Sequence, residues 1–224
     1  MRTIKIILLL GSIVWTGCAS PSKTILRDDT FKSSMVTSLA CMPFVKGRRC
    51  TEAPSGEVGL LDCRLSAINY PIELYSDEAS QEISYILHEQ LKNKYGTAIK
   101  DYDAGMYTFR RLTRDNPHST LRSLASTFAR ERGVDYVVVG ILNSYRERKG
   151  AARGIESPAS VSFSLYLLQA ATSSVVFEGS FDETQQALSE NVLKAPSFFK
   201  RGARWLTAGE LSREGIINIL EEIH

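Results

Sequence analysis

The sequence is poor in the groups that most catalytic and metal chemistry needs. Its three histidines, His88, His118 and His224, are never spaced as HxxH or HExxH, so no helical zinc-hydrolase motif is present. A GxSxG nucleophile elbow is missing, and so is the GxxxxGK[ST] loop that cradles a phosphate. No CxxC occurs and no histidine lies near the cysteines, which leaves no metal ligand set and no implied cofactor. An excess of one charge is absent too. The chain has 27 Lys and Arg against 25 Asp and Glu, and its first five residues hold Arg2 and Lys5, so the remainder of the chain is neutral. A neutral surface does not neutralise phosphates, which argues against nucleic-acid binding. There is no internal repeat, no low-complexity block and no second long hydrophobic run.

The one apolar run stands at the start. Met1-Arg-Thr-Ile-Lys is followed by about ten apolar residues from Ile6, and small residues precede Cys18. These are the parts of a secretory signal peptide, too short to span a bilayer. The Thr16-Gly17-Cys18 ending resembles the bacterial lipoprotein box, although Trp15 stands where Leu is usual. That resemblance implies that residues 1–17 are removed and that Cys18, carrying acyl chains such as palmitate, becomes the first residue. Ala19, and not Asp, follows it. In lipoproteins this resembles the default pattern released to the outer membrane, where the protein would face the periplasm.

Three further cysteines, Cys41, Cys50 and Cys63, make an odd number in a chain bound for an oxidising compartment. One disulfide and one buried thiol is the natural arithmetic. Cys50 and Cys63 lie in a Gly- and Pro-containing loop and are the expected pair, whereas Cys41 sits inside an apolar strand. Closing so short a loop contributes roughly 3 kcal/mol on the chain-entropy view.

Residues 18–34 are polar and without period and read as a lipidated tether. Met35 to Phe44 reads as a first strand, ended by Pro43, and a long loop follows to about Tyr75. Ala79, Ile83, Ile86, Leu87 and Leu91 form one stripe of a helix from Asp77 to Tyr95. A short strand near 97–100 and a tyrosine-rich segment over 102–109 come next. A second helix from Ser119 turns Leu121, Leu124, Ala125, Phe128 and Ala129 inward and stops at Gly133. The run Val134 to Leu142 is apolar on both faces and predicts a central strand. Ser160 to Leu168 alternates, with Val161, Phe163, Leu165 and Leu167 inward, and Val175 to Phe181 is its partner after the turn at Thr172-Ser-Ser. A helix is expected up to Lys194, and a last one begins at Thr207, which with Glu210 spells a capping box. The order gives one α/β domain over 35–185, a mixed sheet of three to five strands with helices packed on it, and a C-terminal helical extension over 186–224.

Pro43-Phe44, the helices after it, Arg132-Gly-Val-Asp-Tyr-Val-Val-Val-Gly140 and the hairpin from Val161 to Gly179 resemble a group of envelope proteins. Its members include the curli secretion channel lipoprotein, the amino-terminal domain of the translocation protein TolB, and lipoproteins that activate peptidoglycan synthases. The stretch from Phe181 to Glu210, with Phe-Asp-Glu-Thr-Gln-Gln and Arg-Trp-Leu-Thr-Ala, resembles an uncharacterised lipoprotein group that implies no activity. One departure bears on function. Where the channel adds apolar barrel hairpins, this chain has Arg146-Glu-Arg-Lys-Gly-Ala-Ala-Arg-Gly-Ile-Glu-Ser-Pro158, and cations at the bilayer midplane cost roughly 2 to 4 kcal/mol each.

Asp101 with Asp103, and Asp182 with Glu183, are the carboxylate pairs available, and the first reads as a solvated strand end rather than acid-base machinery. Cys41 reads as a packed thiol, not a nucleophile. The surface signals are the cations Arg146, Arg148, Lys149 and Arg153 on a hairpin tip, suited to an acidic partner or to phospholipid headgroups. Phe198, Phe199 and Trp205, interleaved with cations, suit either core packing or docking. The expectation is a lipid-anchored, non-catalytic subunit that binds another envelope protein during assembly, trafficking or regulation. A ring-forming, homo-oligomeric export subunit and a cell-wall or lipid-modifying enzyme are the alternatives.

Overall fold

The apolar run that begins at Val134 forms β4 (Tyr136–Arg146), the axis around which the rest of the chain is arranged. The structure, a computed structural model, describes residues 22–47, 49–52, 59–68, 78–151, 154–185 and 204–224. The leader, Cys18, Arg153, Phe198, Phe199 and the helix expected before Lys194 lie outside the described residues.

β4 pairs in parallel with β2 (Leu39–Cys41) and β3 (Val45–Lys46) on one side, and antiparallel with β7 (Ser160–Gln169) on the other. β8 (Val175–Thr184) lies antiparallel to β7, and β1 (Ser22–Arg27) antiparallel to β8, so the sheet runs β1-β8-β7-β4-β2. It is mixed, as expected of an α/β chain, and with β3 beside β4 it has six strands where three to five were expected. Val161, Phe163, Leu165 and Leu167 of β7 are all buried, as their alternation requires.

Among the described residues there are four α-helices, in two layers. On one face, α1 (Glu78–Tyr95) and α4 (Ala208–Leu220) bury Ile83, Leu87, Leu91, Leu211, Ile216 and Ile219 against Val138, Phe163 and Phe181. On the other, α2 (Tyr102–Asp115) and α3 (Leu121–Arg132) bury Phe109, Leu112, Leu124 and Phe128 against Val137, Val139 and Ile141. Alternate residues of β4 thus enter two different cores, which is why that strand is apolar on both faces. α3 starts at the Thr120 cap and stops at Gly133, whose φ of +62° is the left-handed turn that glycine takes without penalty. Thr207 and Glu210 form the reciprocal capping box at the start of α4.

Four expectations need correction. The supposed tether contains β1. An edge strand needs only one half-buried face and its backbone ladder, so Ser-Lys-Thr-Ile-Leu-Arg, with Ile25 inward and Lys23 exposed, serves. The strand expected over 35–44 is only the three residues of β2, and β3 resumes the pairing beyond Pro43, which can donate no ladder hydrogen bond. Residues 96–98 form a 3-10 turn, and only Ile99 makes a single parallel bridge, to Leu39. The tyrosine-rich segment is α2, capped by Asp101, whose carboxylate accepts from the Ala104 amide at 2.8 Å. α2 buries only Gly105, Phe109 and Leu112, so its inward stripe is thin.

Cys50 and Cys63 form a disulfide in the long loop, and Cys41 is a free, buried thiol. The loop also carries 3-10 turns at Leu60–Asp62 and Leu65–Ala67, which bury Leu61, Leu65 and Ala67 beside α3. It is stapled and packed at once. No helix of the described residues is long and apolar enough to cross a membrane.

Candidate interaction surface

β4 stays paired with β7 as far as its last residue, Arg146. The chain runs on through Glu147 and Arg148 into a two-stranded hairpin, β5 (Lys149–Ala151) with β6 (Gly154–Ser157), before returning as β7. The register shifts between Lys149 and Gly150, and Gly150 takes a φ of +96°, a bulge that only glycine fits easily. Every residue of β5 is exposed.

The base of this hairpin is clamped to the start of α4. Glu147 directs one carboxylate oxygen to the Ala208 amide at 3.0 Å, at the positive end of the helix, and accepts the Arg148 amide on the other at 2.8 Å. Two residues before it, the Tyr145 hydroxyl donates to Glu82 of α1 at 2.5 Å. Burial, and then the neighbouring Glu82 carboxylate, push the Tyr145 phenol well above its ordinary range. Gly209 is what lets Glu82 come so close, because a Cβ there would collide with the Glu82 carboxylate. Arg204 grips Glu210 with both guanidinium arms, at 2.9 and 2.7 Å, and that pairing holds the Glu210 carboxyl below its usual value with a small further contribution from Arg148. The Leu206 amide donates to Gln185 at the end of β8. Two helices and two strands are therefore tied together at one end of the sheet.

The residues singled out from sequence distribute unevenly over this surface. Arg146 and Lys149 are exposed. Arg148 is half-buried and close enough to Glu210 to act on its charge, so it is part of the base and not a free cation at the tip. Trp205 is half-buried next to the buried Leu206. Sequence reasoning missed Glu82, Tyr145 and Glu147, which do the clamping. The one available signal was the capping box, which marks the helix start but not what reaches it.

Elsewhere the titratable groups disperse. Asp101 caps α2 while Asp103 sits in its first turn, so the two do not act as a pair. Asp182 is exposed and Glu183 buried, as adjacent residues of one strand must be on opposite faces. Desolvation pushes the Cys41 thiol far up, and its proton goes to the Met42 carbonyl, 3.3 Å away. His88 lies half-buried with its ring 5.3 Å from that of Tyr102. Desolvation lowers its pKa against an opposing pull from Asp101. His118 pairs with Ser66 and His224 with the Glu221 carbonyl. Among the described residues, no cluster of three or more His, Cys, Asp or Glu is placed to hold a metal ion. A cavity of about 250 Å³ between α1 and α4 is lined by Gln90, Asn93, Lys94, Ile217, Leu220 and Glu221. A second, of about 460 Å³, lies at the start of α3, where Arg122 is already engaged by Asp62 and by the Ser173 carbonyl.

No family model matches the chain, and no curated protein matches it. Among solved structures it is similar to the PelC dodecamer from Paraburkholderia phytofirmans, at 11% identity over 90% of this chain and 96% of that one, with a TM-score of 0.49. It is also similar to the LpoB C-terminal domain from Salmonella enterica, at 13% identity over 70% and 87% with a TM-score of 0.38. A lipoprotein from Neisseria meningitidis shares 8% identity over 75% and 98% with a TM-score of 0.36. Likenesses this distant carry no argument about what the chain does.

Proposed function

We propose that this chain is a lipid-anchored subunit of the bacterial envelope that works by binding another protein and performs no chemistry of its own. The observation that carries the proposal is the clamped end of the sheet. Glu147, Tyr145, Glu82 and the α4 capping box lock the hairpin base into the domain, so a surface element is held out at little entropic cost on binding. The signal peptide and Cys18 supply the attachment, with acylation fixing the chain to a membrane in the way that two or three chains do. The Cys50–Cys63 disulfide fits an oxidising compartment, and Ala19 favours the outer membrane with the domain facing the periplasm.

The contact residues we assign to the protein partner are Phe198, Phe199 and Trp205, an aromatic patch of the kind that fits one, while the cations Arg146, Lys149 and Arg153 are assigned to a separate charged surface. Two measurements test the reading. Cys18→Ser moves the protein from the membrane to the soluble fraction; retention in the membrane at high salt rejects the anchor. Cross-linking in intact cells gives an adduct of fixed mass with the wild type that Phe198→Ser/Phe199→Ser loses while its melting temperature holds. An adduct unchanged in that variant rejects the patch. If the adduct's mass is a multiple of the chain's own, the partner is a second copy.

A further inference from the structure

We infer that the β5–β6 hairpin lies against the anionic phospholipid headgroups of the leaflet that holds the anchor, an inference that rests on Cys18 being lipidated. Only Ala19, Ser20 and Pro21 separate Cys18 from Ser22, the first residue of β1. So short a piece of chain reaches at most about 14 Å even when fully extended. The domain is therefore held close to the surface in which Cys18 is embedded.

The strand register decides which part of the domain meets that surface. Ser22 stands opposite Asp182, Asp182 opposite Ser162, and Ser162 opposite Ser144. β1 thus begins at the same end of the sheet at which β4 runs out into the hairpin. With strands roughly 4.8 Å apart, the start of β1 and the end of β4 are about 14 Å from one another. The turn between β7 and β8, at Ala171 and Thr172, is at the other end of a ten-residue strand, roughly 30 Å away. An anchor that draws Ser22 to the bilayer brings the hairpin with it and keeps that turn in solution.

The charges at this end suit headgroup phosphates. Residues 146–157 hold four cations against Glu147 and Glu156, and Glu147 is engaged by the Ala208 amide. Arg146 and Lys149 are exposed, Arg148 is half-buried, and Lys23 and Arg204 are paired, with Glu222 and Glu210. Glu147, Glu156 and Asp182 are the exposed carboxylates that oppose them, and Glu183 is buried. Each exposed cation close to an anionic leaflet strengthens binding by about fivefold.

The test uses the acylated, leader-free protein in vesicles of phosphatidylethanolamine and phosphatidylglycerol. Flotation with the vesicles checks the anchor first. A protein that does not float loses the anchor and the inference together, a result distinct from every outcome of the labelling. In floated protein, one environment-sensitive dye goes on Ala151→Cys and, separately, on Ala171→Cys; Cys41 is buried and does not compete for label. A nitroxide on the lipid headgroup should quench the dye at residue 151 and leave the dye at residue 171 bright. Arg146→Gln/Lys149→Gln should lower the affinity of the unacylated Cys18→Ser protein for the same vesicles by about 25-fold. Replacing phosphatidylglycerol with phosphatidylcholine should do the same. Equal quenching at both sites, or a bright dye at 151, overturns the inference. A bright dye at 151 together with protein cross-links lost in Arg146→Gln/Lys149→Gln makes the hairpin a protein-docking element, leaving the anchor and the proposed function intact.

Discussion

Among single residues, cysteines that cross-link and glycines that leave room decide stability by different means. The Cys50–Cys63 disulfide closes a loop across a sequence separation of 13. Replacing either cysteine with serine should cost roughly 3 kcal/mol, read as a lower melting temperature that a reductant no longer shifts. Gly133 and Gly140 make a matched contrast. A Cβ at Gly133 meets nothing, so Gly133→Ala should cost only the strain of its left-handed φ, about 1 kcal/mol. A Cβ at Gly140 would stand 2.7 Å from the Phe44 ring in the middle of the sheet. Overpacking of that sort costs about 1 to 3 kcal/mol, so Gly140→Ala should be the more harmful of the two in denaturant titrations. Equal effects would mean that the core yields around Phe44.

Among the elements, α4 and the hairpin stand or fall together, because Glu147 bonds the first turn of the helix while Thr207 caps it. Thr207→Ala should cost about 1 kcal/mol. Glu147→Gln keeps the shape but removes the charge at the helix terminus, worth about 0.3 to 1 kcal/mol where exposed. Its expected signature is faster amide exchange in residues 149–157 and in the first turn of α4, with exchange in β7 and β8 unchanged. Exchange confined to the helix would show that the hairpin holds its place by other contacts. The elements were unequally legible in sequence. α1 and α3 bury four or five apolar residues along one stripe and end in Gly96 and Gly133, signals that survive without tertiary context. α2 offers a three-residue stripe and β1 a single half-buried isoleucine, because each is held mainly by the neighbour it packs on.

For the molecule as a whole, the shifted groups set how stability varies with pH. Asp62, held down chiefly by its hydrogen bonds from Arg122, and Glu210, held down by Arg204, have folded values below their unfolded ones. Asp28, Asp135 and Glu222 are lowered as well, by Thr30, by Ser38 with Thr37, and by Lys23 in turn. A depressed carboxyl stabilises fully above its unfolded pKa near 4 and loses that contribution as pH falls through the folded value. His88 acts in the same direction at a higher pH, since desolvation favours its neutral form in the fold and protonation below about 6.5 favours unfolding. The melting temperature should therefore be level above pH 7, dip slightly below about 6.5, and fall more steeply below about 4. His88→Asn should erase the first step alone. A curve that stays flat to about pH 3 would show that these surface pairs contribute nothing measurable.

Local patterns and counting were enough for the Cys50–Cys63 pairing, the central place of β4 and the alternation of β7, and they alone carry the expectation of a signal peptide and anchor. It took the folded chain to reveal that the supposed tether contains an edge strand, that Glu147 and Tyr145 lock the hairpin, and that β1 starts at the hairpin's end of the sheet. Sequence separation accounts for the difference. An edge strand's pairing with residues 150 or more positions away, and a carboxylate's bond to an amide 61 positions on, leave no periodic trace in the chain that makes them.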